Sequence, residues 1–338
     1  MKKLLSLVMM TVLLLSGCKG KELNQKMIVL GMGIDFSNDN YLVTAVYINT
    51  ESADGQEKYQ TKFGRGKTIT QAVNNIATQN GLEVMYSHMS FILFGKTVCQ
   101  HGLNDTLQFF SGYYQCRPSA DILVCNNSAK DILTDKKITP EQINRIAQSY
   151  TVTGVNRTLP FYRFYADILN PSVSACTSLI TQKNDDINSQ GVAVFHDDTF
   201  AYSLNDEETL GLLLVSENPS SEVIPITESH KSFSLSDKKT SFSVWWENNT
   251  LYCDVTINAT VSFYEYAENP QLLEKSVEKT LQKLVQNTLK KSLQHGDDIF
   301  YLTKKLRQTN KQVYYSINDW QSVLQNTVFT VHCHVSVR

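Results

Sequence analysis

Short apolar runs of strand length alternate along this chain with segments of helical periodicity, and this alternation restricts its fold more than any other feature. Two apolar runs within residues 27–49 surround the turn-forming stretch Ser37–Asn40, which predicts a β-hairpin. Thr68 and Gln71 have the spacing of a capping box and open the segment Ile69–Gln79, whose apolar residues recur at helical spacing. Further strand and helix segments alternate after it, so the first half is predicted to be a mixed α/β region.

The second half of the chain repeats this alternation. Residues 191–215 predict a strand, a turn at Asp197–Asp198, a second strand and a helix. A hairpin that turns at Glu247–Asn249 comes next, followed by a long helix from about Pro270. A second helix is predicted over “DDIFYLTKKLRQT”, and a closing strand over residues 327–337. The predicted fold class is therefore α/β of the α+β type, with mixed β-sheets flanked by helices.

The most polar stretch, residues 181–190, separates the two halves and gives the best domain boundary. It defines an N-terminal α/β region at 18–186 and a C-terminal α/β region at 187–338. The C-terminal region can be divided again near residue 228, into a small middle domain and a larger C-terminal one. We therefore expect several domains, three if this second division is real.

The chain begins with a short basic head, Met1–Lys3, and continues with an uncharged apolar run, Leu4–Leu15. This layout is typical of an export signal. The run is too short to cross a membrane, because a spanning helix needs roughly 20 apolar residues and Lys19 interrupts the sequence before that length. Cys18 ends a Ser-Gly-Cys sequence that matches the bacterial lipobox, in which the cysteine sulfur receives a diacylglycerol. Residues 1–17 are thus predicted to be a lipoprotein signal peptide, and Cys18 the site of lipid attachment.

Composition excludes some classes of function. The 338 residues are 42% hydrophobic and 19% charged, which is typical of a globular chain, and a net charge of −2 gives no general attraction to nucleic acid. The cysteines besides Cys18 are scattered without a C-x-x-C pair, so they predict buried thiols rather than a zinc site or a disulfide framework. These cysteines are Cys99, Cys116, Cys125, Cys176, Cys253 and Cys333.

No motif in the sequence indicates catalysis, a cofactor or a bound metal. Strand alternation places His332 and His334 on the opposite face from Cys333, so the three cannot share a metal ion, although a two-histidine half-site stays open. Carboxylates adjoin a histidine at residues 196–198 and 294–298, at a turn or helix boundary where Asp is favoured by local hydrogen bonds. The sequence contains neither a nucleophile elbow nor a complete phosphate-binding loop.

Several segments, taken in order, resemble one family. They are the lipobox, “GMGIDFSNDNYLVTAVYI”, “GKTITQAVNNIATQNG”, “YSHMSFILFGK”, “LQFFSGYYQCRPSADILV”, “GVAVFHDDTFAYSLNDEETLGLLL”, “LEKSVEKTLQKLVQ” and “GDDIF”. In this order they are similar to the spore germination lipoproteins, the C subunits of nutrient germinant receptors, also called the Ger(x)C family. The chain departs from the family pattern at Lys19-Gly20, near Gly112, and at Tyr301–Thr303, where the family continues with glycines.

The resemblance implies a three-domain α/β ectodomain, lipid-anchored at the outer face of the spore inner membrane. It also implies assembly with a large membrane-spanning A subunit and a transporter-like B subunit, in a complex that senses nutrients during spore germination. No enzyme activity comes with the family, so the chain is expected to be a non-enzymatic subunit needed for assembly or signalling. The nutrient, and whether this subunit touches it, stay open.

Two other classes of function remain as alternatives. A lipid-tethered solute-binding protein of an importer has a similar size and the same anchor, but it should show two doubly wound lobes joined by a hinge. The hairpins predicted at 27–49 and 240–262 argue against it. A lipid-anchored hydrolase would need paired acids in a cleft, with strongly shifted pKa values.

Overall fold

A ten-stranded mixed sheet and a four-stranded sheet organise the chain in the computed structural model. The structure describes residues 26–48, 58–79, 81, 83–112, 116–149, 156–183, 186–216, 224–226, 231–264 and 270–338. The two sheets and the helices that flank them confirm the mixed α/β class. Among these residues, no helix is both long enough and apolar enough to span a membrane.

The first sheet combines antiparallel hairpins at its ends with parallel strands at its centre, in the order β10-β9-β8-β6-β5-β1-β2-β3. Two short strands lie off this path: β4 pairs with β1, and β7 pairs with β6. The strands are β1 (Lys26–Ser37), β2 (Asn40–Ile48), β3 (Tyr59–Gly66), β4 (Glu83–Met85), β5 (Phe91–Phe94), β6 (Asp121–Cys125), β7 (Leu159–Pro160), β8 (Cys176–Lys183), β9 (Asp186–His196) and β10 (Thr199–Leu204).

Helices cover both faces of this sheet, so its central strands are buried on both sides and contain little but apolar residues. One core lies under α1, α2, α3 and α6, and the other lies under α4 and α5. The helices are α1 (Ile69–Thr78), α2 (Lys96–His101), α3 (Asn104–Gly112), α4 (Ala129–Thr134), α5 (Pro140–Gln148) and α6 (Phe161–Ile168).

The second sheet has the order β11-β12-β13-β14, and its last strand runs parallel to β13. Its inner face packs against a long helix and several shorter ones, and its outer face is half-buried or exposed. The elements are α7 (Asp206–Ser216), β11 (Ile224–Ile226), β12 (Lys231–Glu247), β13 (Thr250–Phe263), α8 (Pro270–His295), α9 (Leu302–Thr309), α10 (Lys311–Ser316), α11 (Trp320–Gln325) and β14 (Val328–Val337).

Both predicted hairpins form, because their turn residues adopt the left-handed backbone that tight hairpins require. Asn38 and Asp39 have φ angles of 49° and 59° between β1 and β2. Asn248 and Asn249 repeat this geometry between β12 and β13, with φ angles of 48° and 59°. Asn and Asp tolerate this region better than most residues do, so the turns follow from the local sequence.

The helix predicted over the segment after Gly296 begins later than the sequence indicated. The stretch from Asp297 to Phe300 is irregular, and α9 begins only at Leu302. Tyr301 precedes it with φ of 61°, a backbone that stops the helix from extending toward the N-terminus. The prediction of a helix over “DDIFYLTKKLRQT” was therefore wrong at its start, since apolar periodicity does not reveal a left-handed residue.

The first sheet extends past residue 186, the domain boundary predicted from the polar stretch. Strands β9 and β10 follow this position and form the far edge of the first sheet. One face of β8–β10 contributes to the first core, whereas the other face, with Val192 and Val194, contributes to the core under α7 and α8. The division at residue 186 stays a prediction, and the two sheets share apolar packing across it.

Candidate functional site

The two histidine–carboxylate segments of the sequence, at residues 196–198 and 294–298, meet where the two sheets join. Nδ1 of His196 lies 3.0 Å from Oδ1 of Asp297, although 101 positions separate them along the chain. The hydroxyl of Ser174 donates a 2.9 Å hydrogen bond to the same oxygen. The Asp297 side chain is 1% exposed and that of His196 is 44% exposed. A buried carboxylate thus fixes the orientation of a half-exposed imidazole.

Asp298 is the second carboxylate of this junction and is also buried. Its Oδ1 accepts the N–H of Leu302 at 2.9 Å, and its Oδ2 accepts the N–H and the hydroxyl of Thr303 at 2.8 and 2.7 Å. These N–H groups belong to the first turn of α9, where no intrahelical acceptor exists. Burial raises the pKa of Asp298 to about 6, although these hydrogen bonds act in the opposite direction. The Asp298 carboxylate therefore fixes the start of α9.

The loop before β8 connects both carboxylates to the first sheet. The N–H of Ser174 donates to the carbonyl of Asp298 at 3.1 Å, and the N–H of Asp298 donates to the Ser174 hydroxyl at 3.2 Å. The carbonyl of Ser172 accepts from the Thr303 hydroxyl at 2.8 Å, and the Ser172 hydroxyl lies 2.9 Å from that of Tyr314. These contacts form a polar joint between the two halves, defined by Ser172, Ser174, Asp297, Asp298 and Thr303.

Tyr301 connects α6 to α9 beside the polar joint. Its hydroxyl donates to Oδ2 of Asp167 at 2.7 Å and accepts from Nη2 of Arg157 at 3.3 Å. Arg157 is 1% exposed, and its Nη1 donates to the sulfur of Cys176 at 2.6 Å. Burial raises the pKa of Asp167, and the surrounding cations oppose this rise. A buried cation and a buried carboxylate therefore share one tyrosine hydroxyl at this point.

A cleft of about 780 Å³ opens beside the polar joint. The end of α6 and the loop after it form one wall, and residues of α9, α10 and α11 form the other. His196 of β9 and Ser174 of the loop before β8 also line the cleft, and Tyr314, Tyr315 and Trp320 add aromatic rings. Its volume lies within the range of roughly 300–1,000 Å³ that is common for binding sites.

The polar joint does not bring a nucleophile to a base. Ser174 and His196 contact the same oxygen of Asp297, whereas an acyl-transfer triad needs the serine hydroxyl bonded to the histidine. In the part of the chain that the structure describes, no group of three or more His, Cys, Asp or Glu is placed to hold a metal ion. These contacts connect the loop before β8 to the start of α9.

The residues that the sequence singled out have separate positions. Cys18, the predicted site of lipid attachment, lies outside the described residues. His332 and His334 are exposed on one face of β14, and Cys333 is half-buried on the other, as strand alternation predicts. His332 lies 3.5 Å from a carboxylate oxygen of Asp254.

The six cysteines of the described part of the chain are free thiols, five of them buried and Cys333 half-buried. Burial raises the pKa of Cys116, Cys253 and Cys333 to about 12. A thiol that stays protonated is a poor nucleophile, so these cysteines act as apolar core residues.

Sequence reasoning missed Arg157, Asp167, Ser174 and Tyr301. None of these residues belongs to a recognisable motif, and their partners are distant in sequence. The aromatic stretch around residues 159–168 was the single hint, because charged residues alternate there with residues that a core would bury. Only the fold shows that these side chains meet.

Comparisons with known proteins agree with this architecture. Residues 19–182 match the family model described as the spore germination protein N-terminal domain, and residues 190–338 match the one described as spore germination B3/GerAC like, C-terminal. The putative spore germination protein YfkR of Bacillus subtilis (strain 168) is 24% identical over 350 residues, covering 93% of this chain and 90% of that protein. The crystal structure of the GerBC protein has the same fold, with a TM-score of 0.62 at 17% identity, over 91% of this chain and 96% of that one.

The two family models match nearly the whole chain in order, and they show that it is a spore germination protein. The chain belongs to the Ger(x)C family, as the resemblance of its sequence segments predicts.

Proposed function

We propose that this chain is the non-enzymatic, lipid-anchored C subunit of a spore nutrient germinant receptor. It is held through Cys18 at the outer face of the spore inner membrane and acts in assembly or signalling by binding the membrane-embedded A and B subunits. The observation that carries the proposal is the match of two spore germination models, in order, to residues 19–182 and 190–338.

Anchoring has a direct physical consequence for partner binding. Two acyl chains hold a protein at a membrane far more firmly than one chain does. Confinement beside embedded partners raises the effective concentration of the ectodomain, so contacts that are weak in solution suffice at the membrane. Loss of the anchor should therefore weaken complex formation much more than it weakens folding.

The polar joint supports a role without catalysis. Its serine and threonine hydroxyls and its carboxylates bind one another and the first N–H groups of α9. Such groups hold two parts of a chain in a fixed relation, which suits a subunit whose work is to bind partners.

The test compares the full chain with Cys18→Ala and with Cys333→Ala, which removes a thiol outside the lipobox. We expect Cys18→Ala to leave the membrane fraction and to recover the A and B subunits at least tenfold less well, following the loss of effective concentration. Cys333→Ala should behave as the wild type does, and mass spectrometry of the wild type should find a diacylglycerol on Cys18. A Cys18→Ala chain that stays firmly on the membrane would contradict the proposal.

The same preparation tests the solute-binding alternative. Calorimetry on the wild-type chain with amino acids and sugars should give no micromolar binding. Micromolar binding without recovery of the membrane subunits would favour an importer component instead. The cleft of about 780 Å³ is the place where such a solute would bind.

A further inference from the structure

Three cations surround the ring of Tyr301 at the surface where α6 meets α9. The guanidinium carbons of Arg157 and Arg163 each lie 5.7 Å from the ring centroid, and the ammonium nitrogen of Lys304 lies 5.4 Å from it. Arg157 is buried, whereas Arg163 and Lys304 are exposed. Two solvent-facing cations from different helices therefore converge on one aromatic ring.

The positive charge at this surface exceeds the negative charge that faces it. Asp167 interacts with all three cations, and it is buried with one oxygen already accepting the Tyr301 hydroxyl. One buried carboxylate does not balance three cations, and Arg163 and Lys304 both point to solvent. This surface therefore attracts an anionic group from outside the chain.

The backbone keeps the tyrosine ring in this position at some cost. Tyr301 has φ of 61°, a left-handed conformation that bulky residues rarely adopt and that glycine adopts freely. Its hydroxyl bonds to Asp167 and Arg157, which hold the ring close to the two exposed cations. The ring and its hydrogen-bond partners are already ordered in the free chain. Binding a ligand there therefore costs little conformational entropy.

An apolar strip adjoins this cationic surface on the outward side of α6. Tyr162 and Ala166 of this helix and Leu169 at its C-cap are exposed, and Arg163 is next to Tyr162. Ala166 and Leu169 also line the cleft, and Tyr315, which is 70% exposed, lines it as well. Exposed aromatic and aliphatic side chains next to arginine are typical of the centres of protein interfaces.

We infer that this surface docks an acidic, amphipathic segment of a membrane-embedded protein partner. Carboxylates of the segment meet Arg163 and Lys304, and its apolar side chains occupy the cleft beside Ala166 and Leu169. This inference rests on the proposed function, because it supplies a docking surface for a membrane subunit of the receptor.

Charge and shape favour a protein segment over a lipid headgroup. A headgroup needs cations but no adjoining cleft, whereas an amphipathic segment uses the cations and also the aliphatic and aromatic side chains that line part of the cleft, such as Leu169 and Tyr315. Asp197 and Asp319 line the cleft, whereas Arg163 and Lys304 do not, so the carboxylates of the segment meet the cations outside the cleft. Asp319 is in addition occupied as the N-cap of α11, where it accepts the N–H of Ser322.

The first experiment reverses the charge of the docking surface in the full anchored chain. We expect Arg163→Glu with Lys304→Glu to recover the A and B subunits at least tenfold less well than the wild type does, and thermal unfolding of the variant checks that it is still folded. The matched control is Lys275→Glu with Lys283→Glu, which makes the same charge change on the exposed side of α8. The neutral pair Arg163→Gln with Lys304→Gln should fall between the two.

The outcomes separate this inference from the proposed function. If the wild type and the Arg163→Glu, Lys304→Glu chain recover the A and B subunits equally well, the docking surface is wrong and the proposed function stands. Failure of the wild type to recover the subunits overturns both.

A photo-crosslinker identifies what occupies the cleft. With p-benzoylphenylalanine in place of Ala166, membranes should give a cross-link to a peptide of the A or B subunit that contains Asp or Glu. The same group in place of Lys283 should give no such product. A cross-link at position 166 to lipid alone, or to a peptide without acidic residues, overturns the inference.

Discussion

At the scale of single residues, the hydroxyl of Thr303 faces two hydrogen-bond acceptors in the polar joint. This oxygen lies 2.8 Å from the Ser172 carbonyl and 2.7 Å from Oδ2 of Asp298, yet a hydroxyl has one proton to donate. Its hydrogen bond to Asp298 stabilises the carboxylate and so opposes burial, which raises the pKa of Asp298 to about 6.

This raised pKa makes stability depend on pH in a defined direction. The pKa of Asp298 in the folded chain is above its ordinary value of 3.8, so its contribution to stability is complete below about pH 3.8 and is lost as the pH rises through 6. We expect the free energy of unfolding of the wild type to fall by about 2–3 kcal/mol more between pH 4 and 7 than that of Asp298→Asn. Denaturant titrations at pH 4, 5, 6 and 7 measure the difference.

The control for this experiment is Glu247→Gln, an exposed carboxyl at the β12–β13 turn. Its pH dependence should follow that of the wild type. Parallel pH profiles for the wild type and Asp298→Asn would show that Asp298 does not titrate in this range.

At the scale of elements, the close crossing of α7 over α8 depends on a glycine. A Cβ atom at Gly211 would lie 2.3 Å from the hydroxyl of Thr288 and 2.4 Å from the carbonyl of Leu284. The same hydroxyl of Thr288 bonds to the carbonyl of Glu208 at 2.9 Å, so the two helices touch through backbone groups as well as side chains. Glycine in the middle of α7 therefore serves packing, despite its poor helix propensity.

We expect Gly211→Ala to destabilise the chain by about 1–3 kcal/mol. Alanine improves helix propensity by roughly 1 kcal/mol, but the clash with a backbone carbonyl forces the helices apart, and overpacking of this kind costs more. The control is Gly112→Ala at the end of α3, where no atom lies within 4 Å of the added carbon. Thermal unfolding should show a lower midpoint for Gly211→Ala alone, and equal midpoints would refute the packing role.

At the scale of the whole molecule, the two sheets are joined by both polar and apolar contacts. The polar joint connects the loop before β8 to the start of α9. Val192 and Val194 of the first sheet also belong to the core that contains α7, α8 and the second sheet. Two parts that share a core should unfold together rather than in sequence.

Two probes test this cooperativity separately. All three tryptophans, Trp245, Trp246 and Trp320, lie in the second half, whereas Cys99 and Cys125 are buried in the cores of the first sheet. We expect tryptophan fluorescence and the labelling of Cys99 and Cys125, followed by peptide mass spectrometry on the detergent-solubilised chain, to report the same unfolding midpoint in denaturant. Separate midpoints would mean that the halves unfold independently.

Ser174→Ala should lower that shared midpoint, because it removes a donor to buried Asp297 and an acceptor for the N–H of Asp298. Loss of such a partner costs about 1–3 kcal/mol. The control Ser243→Ala changes an exposed serine of β12 and should leave the midpoint in place.

The sequence by itself determined the elements whose formation depends on near neighbours. The Asn and Asp residues of the two hairpin turns, the Thr68 cap of α1 and the periodic stripe of α8 all act within a few positions along the chain. Gln71 departs from the capping box that its spacing predicts at the start of α1. Its side chain accepts the N–H of Lys67, whereas a capping box would use the N–H of Thr68.

Only the tertiary structure decided which distant segments meet. Strand β14 pairs in parallel with β13 across the whole of α8–α11, and β9 and β10 join the first sheet although they follow the polar stretch. His196 reaches Asp297, and Tyr301 reaches Asp167 and Arg157, by the same long-range pairing. Periodicity and capping encode local geometry. The long-range contacts depend instead on which faces of the sheets are buried against the helices, and the packing of the whole chain determines this.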